Sequence, residues 1–517
     1  MSSHEALLAN IASLQIGLPG FYVYLTAWIF PGWDVPTVFL ISLIPVTAHA
    51  IVVSIMTSQF PRSGGEYAWG SRIIPPWLMV APQIGTLVLS SLLVPGFLDW
   101  SIYGGFGTIL AGLSMISNNM SLMNTAAALA NPNVRFAIIM TFIVLSTLCL
   151  VVRFTWVRMW ISFWAIVGIV TGLLAGFTLL FSSHATFVSL WNLHMSQYGL
   201  SYDQVIATAA SGGYSYVPIG AGTFGAFFAI LAGTYEMNIG YAGSISFAGE
   251  IKSARRGIPY SVLTCVYLGA LVLFIMVWGI THVIGQQFVY SAMYLTYSRP
   301  DLWKAPFTAD PFLFATIATG LNPILIVLVP FGLISGAFGV IPVTALINSR
   351  YFLAYSFDRF MPTTISRVDK KYHAPWVALI VVFIVLTCGA LFTDYWAAGV
   401  VYIGLPWRSM SMLNVLFTVA AALLFPLLAK ELYDRSDIVK RWKYVLVICC
   451  LVCIGFFGFA IPYVLSHPEY GGPSNPEIAA FYICIFLAGP IIWFASKIYW
   501  KRRGLDISLV YKEIAPE

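Results

Sequence analysis

The chain has 517 residues, 59% of them apolar and only 9% charged, with a formal net charge of +6 and a mean hydropathy of +0.86. Soluble proteins of this size carry roughly 25% charged residues, because their surfaces face water. The shortfall excludes a large soluble core and makes the lipid bilayer the solvent for most of the chain.

Apolar runs of roughly 20 residues mark membrane-spanning helices. Twelve are predicted in chain order, at 8–30, 36–59, 76–103, 136–152, 159–181, 219–248, 260–281, 322–347, 376–393, 409–429, 444–466 and 478–500. The runs are continuous rather than alternating, which excludes a transmembrane barrel. The opening stretch, MSSHEALLANIASLQIGLPG, lacks a basic start and runs straight into an apolar segment, so the first span is expected to be retained rather than cleaved as a signal peptide. With the N-terminus inside, 22 of the 26 lysines and arginines fall on cytoplasmic segments, and Arg135, Arg299, Lys304 and Arg408 remain outside. That bias predicts a multi-pass protein of the cell membrane with both termini cytoplasmic. The positive charge therefore follows topology, and its spread over short loops speaks against a nucleic-acid partner. The outer loops 104–135, 182–218 and 282–321 are expected to hold short helices at the outer surface and no soluble domain.

The seven cysteines lie in or beside apolar runs without metal-ligand spacing and read as small buried hydrophobes. Of the seven histidines only His49 lies well inside a span, which argues against a haem or copper enzyme built on clustered histidines. No cofactor, no metal site and no covalent chemistry are expected.

Two spans are irregular. Span one carries SLQIGLPG (13–20), which sets Ser13, Gln15, Gly17, Pro19 and Gly20 in an apolar run. Span six carries GTYEMNIGYAG (233–243), with Gly233, Glu236, Asn238, Gly240 and Gly243. A mid-membrane glutamate costs about 2.5–3.5 kcal/mol on insertion scales, and Pro19 removes a donor and frees a carbonyl about a turn earlier. Both spans are expected to be broken, span six into two half-helices joined by an unwound stretch over 233–240. Exposed N–H groups of such a break favour an anion and exposed carbonyls a cation, so together they suit a zwitterion. The two breaks lie five spans apart. Five is odd, so the second copy enters from the opposite face, as in an inverted-repeat transporter. The fold class is then an all-α polytopic membrane protein of twelve helices. Gly243 and Gly249 read as packing glycines. Glu236 reads as the partner of a substrate amine, as a proton carrier, or as a neutral packing residue, since burial favours its protonated form. Span eight carries the hydroxyls of Ser335 and Thr344 beside Gly336 and Gly339, polar groups in an apolar run.

Three stretches carry a resemblance. PRSGGEYAWGSR (61–72), SFAGEIKSARRGIPYSV (246–262) and SRYFLAYSFDRFMPTTISRVDKKYHAPWVALI (349–380) resemble signatures of the amino acid–polyamine–organocation (APC) permease superfamily. The resemblance covers at least spans one to nine. It implies a five-plus-five inverted repeat, at 1–181 and 219–430, with two further helices and a cytoplasmic tail at 440–517, and secondary transport by alternating access, usually of amino acids. It also implies that the backbone of the broken first and sixth helices holds the substrate's carboxylate and amino group. The family's glycine–aromatic pair falls at Gly240 and Tyr241; many relatives place an acid next, where this chain has Ala242 and carries Glu236 about a turn earlier. Some proton-coupled relatives carry a basic side chain in span five, and 159–181 has none. Arg62, Glu66, Arg72, Glu250 and Asp358 read either as an inner gate or as anchors of helix ends at the head groups. The expected function is amino acid transport, coupled to protons through Glu236, coupled to sodium, or run as exchange. The alternatives are a polyamine or organic amine cargo, with Glu236 pairing a second ammonium, and a membrane receptor that transports nothing.

Overall fold

The computed structural model describes residues 1–16, 23–24, 27–237, 239–305, 308–372, 374–468 and 472–512. Gly17, Pro19, Gly20 and Asn238 lie outside the described residues, as does the side chain of Glu236. Among the described residues the chain forms no strand, and its one isolated β-bridge joins Ser63 to Phe247.

The principal helices are α1 (Ser3–Leu14), α2 (Val35–Gln59), α3 (Gly65–Ile73), α4 (Pro76–Trp100), α5 (Pro132–Val152), α6 (Phe154–Leu180), α7 (Phe224–Met237), α8 (Ala254–Gly279), α9 (Phe331–Phe357), α10 (Trp376–Tyr395), α11 (Ala397–Leu428), α12 (Lys443–Ser466) and α13 (Pro476–Lys501). Several starts follow from local sequence. Asp34 accepts from the Thr37 amide at 3.0 Å and Asn475 from the Ile478 amide at 2.8 Å, each with proline in the first turn.

Among the described residues ten helices are long and apolar enough to cross a membrane: α2, α4–α6, α8–α10, the Pro406–Leu428 part of α11, α12 and α13. All ten overlap predicted apolar runs. The predicted runs 8–30 and 219–248 are not among them, because α1 stops at Leu14 and α7 covers only Phe224–Met237. The most apolar stretch of α9 is 72% buried, against 22% for α5 and 28% for α13, so α9 lies centrally and the other two at the rim. Large apolar side chains exposed on the rim, such as Met159, Phe163, Ile448 and Ile491, form the surface that lipid would wet. Short helices fill the three long loops, at Gly107–Ser117, Met120–Ala128, His184–Met195, Tyr202–Ser211, Gln286–Tyr297 and Pro311–Ala318. Cys265, Cys449, Cys450 and Cys453 are buried as expected of small hydrophobes; Cys484 is exposed on the apolar face of α13.

Met1 and Tyr511, at the two ends of the described chain, reach one face of the bundle. The Met1 ammonium donates to the Glu250 carbonyl at 2.7 Å, and Tyr511 stands against Tyr67, their hydroxyls 3.1 Å apart. This face is called the terminal face below, and its opposite the far face.

Candidate functional site

The site is built where two helices end. α1 stops at Gln15, whose φ of 56° and ψ of 44° are left-handed and whose N–H still reaches Ile11 and Ala12. The residue whose amide would pair with the Gln15 carbonyl in a continued helix is Pro19, which has none. The sequence thus removes the bond that would carry the helix past this point. The Gln15 carbonyl faces α9: a Cβ on Gly336 would lie 3.1 Å from that oxygen. The Gln15 side-chain oxygen is buried and finds no hydrogen-bond partner among the described residues.

In the second run the α-helical ladder holds through Met237, and the tighter 3-10 winding of Ile239–Ser246 follows. This differs from the expected unwound stretch over 233–240 in two ways. Gly233 and Glu236 lie on the last turns of α7, since a glycine weakens a packed helix by only about 1 kcal/mol and need not stop it. The second half is 3-10 rather than α-helical, and a short 3-10 turn closes the segment at Ala248–Glu250.

The two ends meet backbone to backbone. A Cβ on Gly240 would lie 2.2 Å from the Leu14 Cα and 2.3 Å from its nitrogen, so any larger residue would push the segments apart. One turn on, a Cβ at Gly243 would sit 3.3 Å from the Asn10 side-chain oxygen and 3.4 Å from the Ser13 Cβ, the packing role expected of this glycine. Asn10 bolts the contact: its amide donates to Ser244 Oγ at 3.0 Å, and its oxygen accepts from the Ser244 N–H at 2.6 Å. Sequence reasoning passed over Asn10. The available signal was its place one turn before Ser13, on the same face of an apolar run.

Gln15 and Ser335 come together as well. A narrow crevice is lined by Gln15, Ile16, Trp164, Gly168, Ser335 and Gly336, among others. The Ser335 hydroxyl donates to the Gly332 carbonyl at 2.8 Å, and a Cβ on Gly168 would stand 3.0 Å from its oxygen. Tyr241 points elsewhere. It is fully buried, with its hydroxyl 2.7 Å from Nδ1 of His49 on α2.

On the terminal face the signature stretches lock together. The Gly64 N–H donates to the Ser246 carbonyl at 2.8 Å, tying 61–72 to 246–262. Gly65, at a φ of +56°, has no room for a side chain: its Cβ would overlap the Tyr351 hydroxyl of α9. Of the expected gate residues, Asp358 forms a two-pronged pair with Arg72 at 2.6 and 2.7 Å, both side chains less than a tenth exposed. Burial works against the Arg72 cation, and the Asp358 carboxylate more than offsets it, so the arginine is held charged. Tyr67 and Tyr511 lay their rings beside that guanidinium, at 5.8 and 5.2 Å. Glu250 pairs with Arg350 at 2.7 Å. Glu66 is buried and accepts from the Tyr351 hydroxyl; burial raises its pKa and that hydrogen bond opposes the rise. Arg62 forms no ion pair among the described residues. Arg350 and Tyr351 are the partners that sequence reasoning did not name.

A bundle of long apolar helices, in which two broken runs meet at mid-chain glycines, defines a multi-pass membrane protein. The amino acid permease family model matches residues 31–508, and the chain belongs to that family, within the APC superfamily. It is thereby a membrane amino acid transporter by type rather than an enzyme. No curated protein sequence matches the chain. The match begins beyond α1, so the first half of the site rests on the geometry above.

Proposed function

We propose that the protein carries amino acids across the cell membrane by alternating access. The observation that supports this reading is the backbone contact of Leu14 with Gly240, where the ends of α1 and α7 meet. Exposed carbonyls at one end and amides at the other suit the ammonium and carboxylate of one zwitterion. In this reading Ser13, Gln15, Gly17 and Gly20 contribute from the first run, and Gly233, Glu236, Asn238, Gly240 and the backbone of Tyr241 from the second. Ser335 closes the side. The unfilled Gln15 oxygen is an acceptor suited to an ammonium. In this reading each broken run crosses once beside the ten long helices among the described residues, for twelve crossings arranged as a five-plus-five inverted repeat with two further helices. The terminal face is taken as cytoplasmic from the lysine and arginine bias, and Arg62, Glu66, Glu250 and Asp358 belong to the closure of that face. Coupling runs through a proton on Glu236.

The test is uptake by the purified protein in proteoliposomes, using each of the twenty standard L-amino acids and putrescine. Accumulation of at least one amino acid is expected, driven by an inward proton gradient and abolished by Gly240→Leu. Glu236→Gln should keep exchange and lose proton-driven accumulation; a mutant that still accumulates removes Glu236 from the coupling. Stabilisation by an amino acid without any flux would mark a receptor, and preference for putrescine an amine carrier.

A further inference from the structure

His49 is the one histidine that hydropathy places deep inside an apolar run, and the transport reading leaves it without a task. It stands on α2, one turn after Pro45, and is 2% exposed. Its Nδ1 lies 2.7 Å from the Tyr241 hydroxyl and 3.1 Å from the Tyr235 hydroxyl. Tyr235 belongs to α7 and Tyr241 to the 3-10 stretch, so one ring nitrogen joins two phenols on opposite sides of the helix break. Both phenols are buried, at 1% and 0% exposure. Behind Tyr235, the ring of Phe457 on α12 packs edge-on at 4.8 Å and prevents retreat. On the other side Tyr241 follows Gly240 directly, and Gly240 rests on the backbone of Leu14. The imidazole is therefore linked through a single residue to the contact between the two helix ends.

A residue kept only for packing would not need nitrogen here. The His49 Nε2 is buried and finds no hydrogen-bond partner among the described residues. A buried polar atom left unpaired is destabilising, and phenylalanine would fill similar space without that cost. The ring is retained at a net disadvantage at Nε2, and the bonds at Nδ1 are what it gains. The two phenols also hydrogen-bond each other, so the imidazole completes a three-membered polar cluster across a stretch whose own backbone bonds change pattern.

We propose that His49 is a positioning residue that spans the break in the second broken run, holding its α-helical and 3-10 halves at fixed separation and so aiming the backbone of Ile239 and Gly240 at the cargo. This rests on the transport reading for the word cargo; the holding role stands on the geometry alone.

Amide hydrogen exchange of the full protein in lipid nanodiscs separates the two. His49→Phe should speed exchange of the amides in 239–246 about tenfold, the loss expected for one net hydrogen bond, and leave those of 443–466 unchanged. Tyr241→Phe should do the same, and the double variant should go no further than either single one. His49→Asn, which restores a polar group near Nδ1, should return exchange to within about threefold of wild type. Tyr235→Phe provides the same measurement if His49→Phe does not fold. Unchanged exchange at 239–246 in His49→Phe, or an equal rise in every helix, overturns the proposal. In proteoliposomes, uptake of whichever of the twenty standard L-amino acids wild type accumulates should show a KM raised about tenfold with Vmax held within about twofold. Lack of uptake of all twenty by wild type would sink the transport reading, and the exchange experiment would still decide the role of His49.

Discussion

On the terminal face each buried or half-buried acid in an ion pair has its own arginine: Asp358 with Arg72, Glu250 with Arg350, and Glu5 with Arg158. On the far face Arg135, at the start of α5, is shared by Asp99 at 2.8 Å and Asp394 at 3.3 Å. Asp310, in the far-face loop before Pro311–Ala318, has no basic group within ion-pair distance among the described residues. Among these ion pairs one face matches each acid to its own arginine, while the other sets two carboxylates on one arginine; the buried Glu66 of the terminal face takes the Tyr351 hydroxyl instead. The difference matters because a buried ion is tolerated only when it is matched. Removing an arginine from the terminal face therefore strands one acid, whereas removing the shared arginine of the far face strands two.

The contrast is broken most severely at Arg135. Arg135→Met strands two carboxylates, and the expected loss lies at the top of the roughly 3–5 kcal/mol range for a buried pair deprived of one partner. Asp394→Asn, by contrast, leaves a matched pair with Asp99 and should cost less than about 1 kcal/mol. The apparent Tm of the purified protein in detergent checks both, and equal losses for the two would remove the idea of a surplus acid. Next comes the terminal face, where Arg72→Met should lose about 3 kcal/mol. The exchanged pair Arg72→Asp with Asp358→Arg should regain part of it, and a double variant no better than Arg72→Met would deny the specific bridge.

A smaller effect is expected at Asp310, which is 2% exposed. Burial pushes its pKa up to about 7, against opposing hydrogen bonds from the Phe312 and Leu313 amides. In the unfolded chain the group titrates near 3.9, so the folded state holds its proton more tightly. The stability this contributes is present below about pH 4 and is lost as pH rises towards about 7. Asp310→Asn should flatten that decline, which thermal unfolding at pH 4.5 and 7.5 would reveal; identical slopes in both proteins would contradict it. Least of all, Tyr511→Phe removes one hydroxyl contact of 3.1 Å with Tyr67 and leaves the ring over Arg72, so about 0.5–1.5 kcal/mol is expected.

The positions of the long helices were legible because a run of about twenty apolar residues has few other uses. The first break was legible to within a residue or two of its start, since Pro19 names the carbonyl it cannot satisfy. The second was placed too early, because Gly233 weakens a helix without stopping it while neighbours hold the ladder. Asp358 was named as a gate or anchor acid with a charged partner on another loop, which the ion pair with Arg72 supplies, but the pairing of Glu66 with Tyr351 was not named, for nothing local to Glu66 distinguishes a phenol from an arginine as its partner. Asn10 and His49 show the same limit. Each is a polar residue in an apolar run, and what makes it meaningful is a partner 234 and 192 residues away, respectively.

The eight residues from Ile239 to Ser246 have a mechanical side. A 3-10 coil advances about 2.0 Å per residue and an α-coil about 1.5 Å, so rewinding this stretch would shorten it by about 4 Å. A stroke of that length exceeds the reach of the 2.8 Å bond from Gly64 to Ser246. Rewinding this stretch would therefore require either that bond to break or the loop at Gly64 to travel with Ser246.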